Sequence, residues 1–180
     1  MSLIRCLLIP IFITFILITT ETFAKKAAIV IDFDSQEVLF EVNADTKNYP
    51  ASLTKIMTLY ILFDQLEKGH LKNQTKLKVS KIAASRSPSK LYLEEGSSIK
   101  VEDAIMALII KSANDVATVV AENISGSEKE FAKLMTNYAK NLGMNNTYFK
   151  NASGLPNRAQ LTTARDISIL SYALIYNFPE

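Results

Sequence analysis

The stretch Ala-Ser-Leu-Thr-Lys-Ile-Met-Thr, residues 51–58, opens the segment that says most about the fold and chemistry of this chain. From Ser52 to Lys68 the apolar residues recur three or four positions apart, which predicts a helix. Gly69 stands where such a helix commonly ends. In a helix, Ser52 and Lys55 lie one turn apart, with β-carbons about 5–6 Å from each other.

A serine can act as a nucleophile when a neighbouring lysine takes its proton, so the Ser-x-x-Lys pattern indicates a possible acyl-transfer site. A chain of this composition contains the bare pattern about once by chance. It occurs here at Ser52-Lys55, Ser87-Lys90 and Ser97-Lys100. The pattern alone therefore does not identify a site.

The surroundings of Lys55 distinguish it from the other two lysines. It is the only charged residue between positions 51 and 63, and burial among apolar neighbours would lower its pKa toward neutrality. Lys90 and Lys100 lie in polar stretches, which predicts solvated surface residues. The competing interpretation makes Ser52 a helix N-cap and Lys55 a surface lysine with a buried stem.

Ser112 and Asn114 form a second candidate cluster, in Lys-Ser-Ala-Asn-Asp at residues 111–115. They follow an apolar helix predicted over residues 104–110, which would deliver them as a tight turn at the edge of the core. An Asn there can donate to and accept from a peptide, and a Ser hydroxyl can relay a proton. The alternative is a simple helix end capped by Asn114 or Asp115.

The remaining pattern predicts a mixed α/β chain that begins with a β-hairpin and continues as about five helices. A capping box, in which Glu130 reaches back to Ser127, is expected to open one of these helices. The elements that the pattern places are strands at 27–33 and 38–42, four of the helices, at 52–68, around 101–110, 127–143 and 163–176, and a loop at 151–156.

Composition excludes several classes of function. A net charge of +2 gives no basic field for nucleic acid. The single cysteine, Cys6, and the single histidine, His70, cannot form a Cys/His metal site or a disulfide framework, so no metal or other cofactor is expected. His70 sits beside Gly69 at a polar helix end and reads as a surface residue, which argues against a Ser-His-Asp triad.

Residues 1–24 are predicted to be a secretory signal peptide, and residues 25–180 the exported domain. The uncharged apolar run from Cys6 to Thr20 is 15 residues long, whereas a membrane span needs about 20. An uncleaved anchor is the alternative. We expect export to the periplasm or the outer face of the cytoplasmic membrane, with membrane contact only through this segment.

Four motifs in order resemble the serine-type D-alanyl-D-alanine carboxypeptidases, the low-molecular-mass penicillin-binding proteins, from about Ala27 onward. The motifs are Ala-Ser-Leu-Thr-Lys-Ile-Met-Thr (51–58), Ser-Ala-Asn-Asp (112–115), Asn-Ala-Ser-Gly-Leu-Pro (151–156) and Thr-Ala-Arg-Asp (163–166). The resemblance implies a penicillin-binding-protein or β-lactamase-like transpeptidase fold.

The resemblance also implies an activity, partners and roles for four residues. Ser52 would attack the penultimate D-Ala carbonyl of a peptidoglycan stem peptide, and Lys55 would accept its proton. Ser112 would relay a proton, and Asn114 would contact the substrate peptide. β-Lactams would be covalent inhibitors, and the protein would serve cell-wall synthesis and cell shape. The Gly-Leu-Pro loop and the Thr-Ala-Arg-Asp turn would be structural.

One motif of the resembled family, Lys-Thr-Gly or Lys-Ser-Gly on a strand, does not occur in the 180 residues. The resemblance therefore leads us to expect an incomplete catalytic domain, an N-terminal hairpin plus a helical region without the later strands. Activity of residues 25–180 alone is expected to be impaired.

Two other functions stay open at the level of sequence. A class A β-lactamase shares Ser-x-x-Lys, but its second motif is usually Ser-Asp-Asn and it needs a carboxylate for deacylation. Ala113 and the Gly-Leu-Pro loop favour the carboxypeptidase. A non-catalytic, peptidoglycan-binding remnant is the alternative from a different class.

Overall fold

A computed structural model describes residues 26–179 as a helical region with two small antiparallel sheets. The predicted signal peptide, residues 1–24, lies outside the described residues. None of the helices within residues 26–179 has the length and apolar character that a membrane crossing requires. The elements in chain order are β1 (Ala28–Ile31), β2 (Val38–Val42), α1 (Thr54–Glu67), β3 (Lys76–Lys78), α2 (Lys81–Ala84), β4 (Ser98–Lys100), α3 (Val101–Met106), α4 (Asn114–Ser125), α5 (Glu128–Asn141) and α6 (Ala164–Asn177).

The predicted hairpin is confirmed. β1 and β2 pair antiparallel, with Val30 opposite Phe40, and β1 packs against α6. Val30 and Phe40 share one face of this sheet and are 49% and 54% exposed, and every residue of β2 is exposed. Among the described residues α6 therefore covers only the β1 side of one face of this sheet, and the face that carries Val30 and Phe40 is open and apolar.

The second sheet, β3 with β4, was not predicted. Each strand has three residues and only one inward apolar side chain, Leu77 in β3 and Ile99 in β4. Such short strands carry too little alternation to be recognised in a sequence. The sheet places residues 76 and 100 side by side, so the segment between them, which contains α2, begins and ends at the same place.

Two helices form the centre of the molecule. From Thr54 to Leu62 almost every residue of α1 is buried, and so are the first eight residues of α4. The two helices pack against each other, and α5 and α6 pack on α1. Because α1 is enclosed on several sides, even its polar residues Thr54, Lys55 and Thr58 are inside.

The ends of the helices largely follow their predicted caps. Ser127 accepts a hydrogen bond from the backbone N–H of Glu130, but the predicted reciprocal bond is replaced by an ion pair between Glu130 and Lys133. Thr163 caps α6 through the N–H of Asp166. The helix predicted around 101–110 is correct to Met106, after which residues 107–111 widen into a π-helical turn.

Candidate active site

Ser52 lies on a 3₁₀ turn, Ala51–Leu53, that leads directly into α1. It is exposed, and among the described residues its hydroxyl makes no hydrogen bond, so the N-cap interpretation of Ser52 is wrong. The preceding residue, Ala51, has a φ of 46°, a left-handed conformation that is strained for a residue with a β-carbon. The chain thus presents Ser52 to solvent from a strained and tightly held turn.

Lys55 is buried, with 3% of its surface exposed, so the surface-lysine interpretation is also wrong. Its Nζ donates a 2.6 Å hydrogen bond to the backbone carbonyl of Ser153. Burial lowers the pKa of Lys55 from 10.5 to about 8, because the charged form loses its hydration. A neutral carbonyl partner compensates only part of that loss.

The structure separates the three Ser-x-x-Lys pairs. Residues 87–90 are irregular and residues 98–100 form β4, so only the Ser52-Lys55 pair lies in helical backbone. The solvated surface positions predicted for Lys90 and Lys100 hold only in part, because both residues are half-buried: Lys90 donates to the carbonyl of Ala84, and Lys100 pairs with Glu102. His70 is exposed, as predicted.

Ser112 and Asn114 lie at the start of α4, which packs on α1. Ser112 has a φ of 53° and connects the π-helical turn to α4. Asn114 is buried; its backbone N–H donates to the Ser89 carbonyl at 2.7 Å, and its side-chain Nδ2 donates to the Ser87 carbonyl at 3.0 Å. The N-cap of α4 is Ala113, so the alternative with Asn114 or Asp115 as the cap is wrong.

The segment at residues 87–93 is a part of the site that sequence reasoning missed. Its carbonyls hold Asn114, and the carboxylate of Asp115 accepts hydrogen bonds from the backbone N–H groups of Leu91 and Leu93. The fourth residue of Ser-Ala-Asn-Asp was the one available signal, since a buried aspartate needs donors.

The sequence predicts a purely structural role for the loop at 151–156. In the structure this loop packs directly on the start of α1. The Thr58 hydroxyl donates to the Ala152 carbonyl at 2.8 Å, next to the bond from Lys55 to Ser153. Gly154 has a φ of +86°, and a β-carbon there would lie 1.8 Å from the Ala51 carbonyl oxygen. The contact requires glycine, and the Gly in this motif was the only sequence signal for it.

No hydrogen bond joins Lys55 to Ser52, Ser112 or Asn114 among residues 26–179. A cavity of about 250 Å³ opens beside Ala51 and Gly154, and Arg158 is its only charged lining residue. A larger one, about 550 Å³, lies between β1 and α6 and is lined by none of the four predicted site residues. Residues 26–179 contain no group of His, Cys, Asp or Glu that could hold a metal ion.

Comparison with known proteins gives a consistent result. Residues 17–180 match the family described as D-alanyl-D-alanine carboxypeptidase. The chain is 39% identical over 150 residues to the D-alanyl-D-alanine carboxypeptidase DacF of Bacillus subtilis, covering 83% of this chain and 39% of the relative. It is 40% identical over 161 residues to DacC of Escherichia coli, covering 86% and 40%. The chain thus spans about two fifths of the length of these curated relatives.

Solved structures show the same fold. The D-alanyl-D-alanine carboxypeptidase DacD from Francisella tularensis has a TM-score of 0.84 at 40% identity, covering 86% of this chain and 37% of that one. Penicillin-binding protein D2 from Listeria monocytogenes in its ampicillin-bound form has a TM-score of 0.77 at 32% identity, covering 89% and 65%. The predicted mixed α/β, penicillin-binding-protein fold is confirmed.

Proposed function

The chain belongs to the D-alanyl-D-alanine carboxypeptidase family, and from that premise we propose that Ser52 is the nucleophile of a serine carboxypeptidase acting on peptidoglycan stem peptides. One observation carries the proposal: the only Ser-x-x-Lys pair in helical backbone combines an exposed, unpaired serine with a buried lysine. The substrate lies outside the cytoplasmic membrane, which fits the predicted export. β-Lactams are the expected covalent inhibitors.

Lys55 is suited to the role of base because its neutral form is accessible. With a pKa of about 8, roughly a tenth of the Lys55 side chains are neutral at pH 7, compared with about one in three thousand at 10.5. A neutral amine that donates one N–H to the Ser153 carbonyl keeps its lone pair free. That lone pair can accept the Ser52 proton as the oxygen attacks.

The proposed reaction has two halves. The Ser52 oxygen bonds to the penultimate D-Ala carbonyl carbon, the peptide bond breaks, and the terminal D-Ala leaves after its amine takes a proton relayed through Ser112. Water then attacks the acyl ester: its hydroxyl bonds to the acyl carbon, the bond to the Ser52 oxygen breaks, a proton from the water goes to Ser52, and the shortened peptide is released. Asn114 would contact the peptide, which requires its Nδ2 to exchange the Ser87 carbonyl for a substrate group.

Release of D-Ala from an acetylated peptide ending in D-Ala-D-Ala tests this proposal on the complete gene product. We expect Ser52→Ala to lower the release rate at least about 10³-fold, because the nucleophile is gone. Ser97→Ala is the matched control, since it removes the serine of a non-helical Ser-x-x-Lys, and should leave the rate unchanged. Equal release by Ser52→Ala would contradict the assignment, and no release by the folded wild type would favour the non-catalytic alternative.

A further inference from the structure

Glu128, in the first turn of α5, lies between two segments that contact predicted site residues. The chain that follows α2 contacts Asn114, and the loop at 151–156 contacts Lys55. Its side chain is 13% exposed and pairs with Arg86, whose side chain is 26% exposed. Glu128 Oε1 also accepts a 3.1 Å hydrogen bond from the backbone N–H of Ala152. One carboxylate therefore contacts both the chain that follows α2 and the loop at 151–156.

A shared hydroxyl ties the pair to the centre of the molecule. Thr118, buried in α4, accepts from Arg86 Nε at 2.9 Å and lies 3.4 Å from Glu128 Oε1, to which it donates. Both carboxylate oxygens of Glu128 and the Thr118 hydroxyl have partners in this cluster, and a hydrogen-bonded cluster that is partly shielded from water holds its members rigidly. We refer to Arg86, Thr118 and Glu128 as the brace.

The brace ends one residue away from Lys55's only hydrogen-bond partner within residues 26–179. The N–H of Ala152 donates to Glu128, and the next carbonyl, that of Ser153, accepts from Lys55. On its other side, Arg86 precedes Ser87, whose carbonyl holds the Asn114 side chain. We propose that Glu128 is a positioning residue that, through Ala152, holds the Ser153 carbonyl on Lys55 and keeps water away from the amine.

The catalytic value of this positioning rests on the proposed function. The protonation state of Lys55 does not depend on that function. Burial is the sole cause of its lowered pKa. Three carboxylates on the helices packed against α1 have other partners: Asp115 on α4 accepts from the Leu91 and Leu93 amides, Asp166 on α6 from Asn146 and Thr147, and Glu128 on α5 from the groups above. A fourth, Glu122 on α4, has a buried Oε2 with no hydrogen-bond partner among the described residues, so it does not bond to Lys55 either. Releasing the loop should therefore admit water and restore part of the hydration of the ammonium.

Trace acetylation with acetic anhydride from pH 6 to 11, followed by mass spectrometry of each lysine peptide, measures the titration of Lys55 in the complete gene product. Its midpoint is the pH at which half of the Lys55 side chains are neutral. We expect Glu128→Ala to move the Lys55 midpoint upward by about one pH unit. Glu128→Gln should stay near the wild type, because its amide oxygen can still accept from Ala152. Glu130→Ala is the matched control, since it removes the exposed ion pair with Lys133 on the same helix, and should change nothing at Lys55.

An unchanged Lys55 midpoint in folded Glu128→Ala would overturn the proposal, as would an equal shift in Glu128→Gln. Loss of stability alone lowers the folded fraction and does not give this pattern of rescue. Should Glu128→Ala not fold, Thr118→Val replaces the shared hydroxyl at constant shape, and the proposal requires a smaller upward shift there, with no shift counting against it.

Penicillin acylation separates failure of this inference from failure of the proposed function. If wild-type Ser52 is acylated, a midpoint raised by one unit in Glu128→Ala should lower the acylation rate at pH 7 about tenfold. A wild type that is never acylated contradicts the proposed function, while the Lys55 midpoints still decide whether Glu128 positions the loop.

Discussion

Replacing Lys55 by Arg should lower the rate of Ser52 acylation by a labelled penicillin at least about 10³-fold. Arginine keeps the positive charge but cannot be deprotonated at working pH, so no lone pair is available to take the Ser52 proton. The substitution therefore tests the neutral amine rather than the charge. Stopped-flow or gel-based measurement of the acylation rate between pH 6 and 10 gives the result directly.

Lys100→Arg is the matched control for Lys55→Arg. Lys100 ends another Ser-x-x-Lys pattern, but it lies in β4 on the surface and pairs with Glu102. Its replacement should leave acylation at the wild-type rate. Undiminished acylation in a folded Lys55→Arg variant would remove Lys55 from the role of base.

Gly154→Ala should destabilise the protein by about 3 kcal/mol or more and should displace the turn that carries Ser52. The new β-carbon would lie 1.8 Å from the Ala51 carbonyl oxygen and 2.4 Å from its carbon, so backbone has to move. A φ of +86° adds strain for any residue with a side chain. Denaturant unfolding of the two proteins measures the loss.

Gly143→Ala separates the clash from the backbone strain. Gly143 has nearly the same φ, +88°, but a β-carbon there meets nothing within 4 Å, so we expect a loss of only about 1–2 kcal/mol. Equal losses in the two variants would show that close packing of the loop at 151–156 on Ala51 does not matter for stability.

The hairpin and α5 and α6 could be predicted because their signals are local. Runs of β-branched and aromatic residues, a polar turn and the caps at Ser127 and Thr163 act within a few residues of themselves. The family resemblance rested on four such short motifs, and the match over residues 17–180 confirms it.

The surroundings of Lys55 could be predicted only in part. Its isolation among apolar residues indicated burial, and the structure places it inside. Its partner, however, is a backbone carbonyl 98 positions away at Ser153, and a carbonyl has no residue-specific signal in a sequence. The same holds for the carbonyls of Ser87 and Ser89 that hold Asn114.

Long-range packing also explains the wrong N-cap interpretation of Ser52 and the burial of the polar residues in α1. A serine at a helix start is normally a cap, but here the 3₁₀ turn and the contact between Ala51 and Gly154 direct Ser52 outward. The helices α4, α5 and α6 all pack on α1, so its polar residues Thr54 and Thr58 are buried as well. Neither effect is encoded within the helix itself.

Peptide mapping after exposure of the complete gene product to a labelled penicillin is the most direct test of the assignment of Ser52 and Lys55. We expect one covalently labelled serine, Ser52, because among the three Ser-x-x-Lys pairs it alone joins an exposed hydroxyl to a buried lysine in helical backbone. Label on Ser87 or Ser97, with Ser52 unmodified, would contradict it.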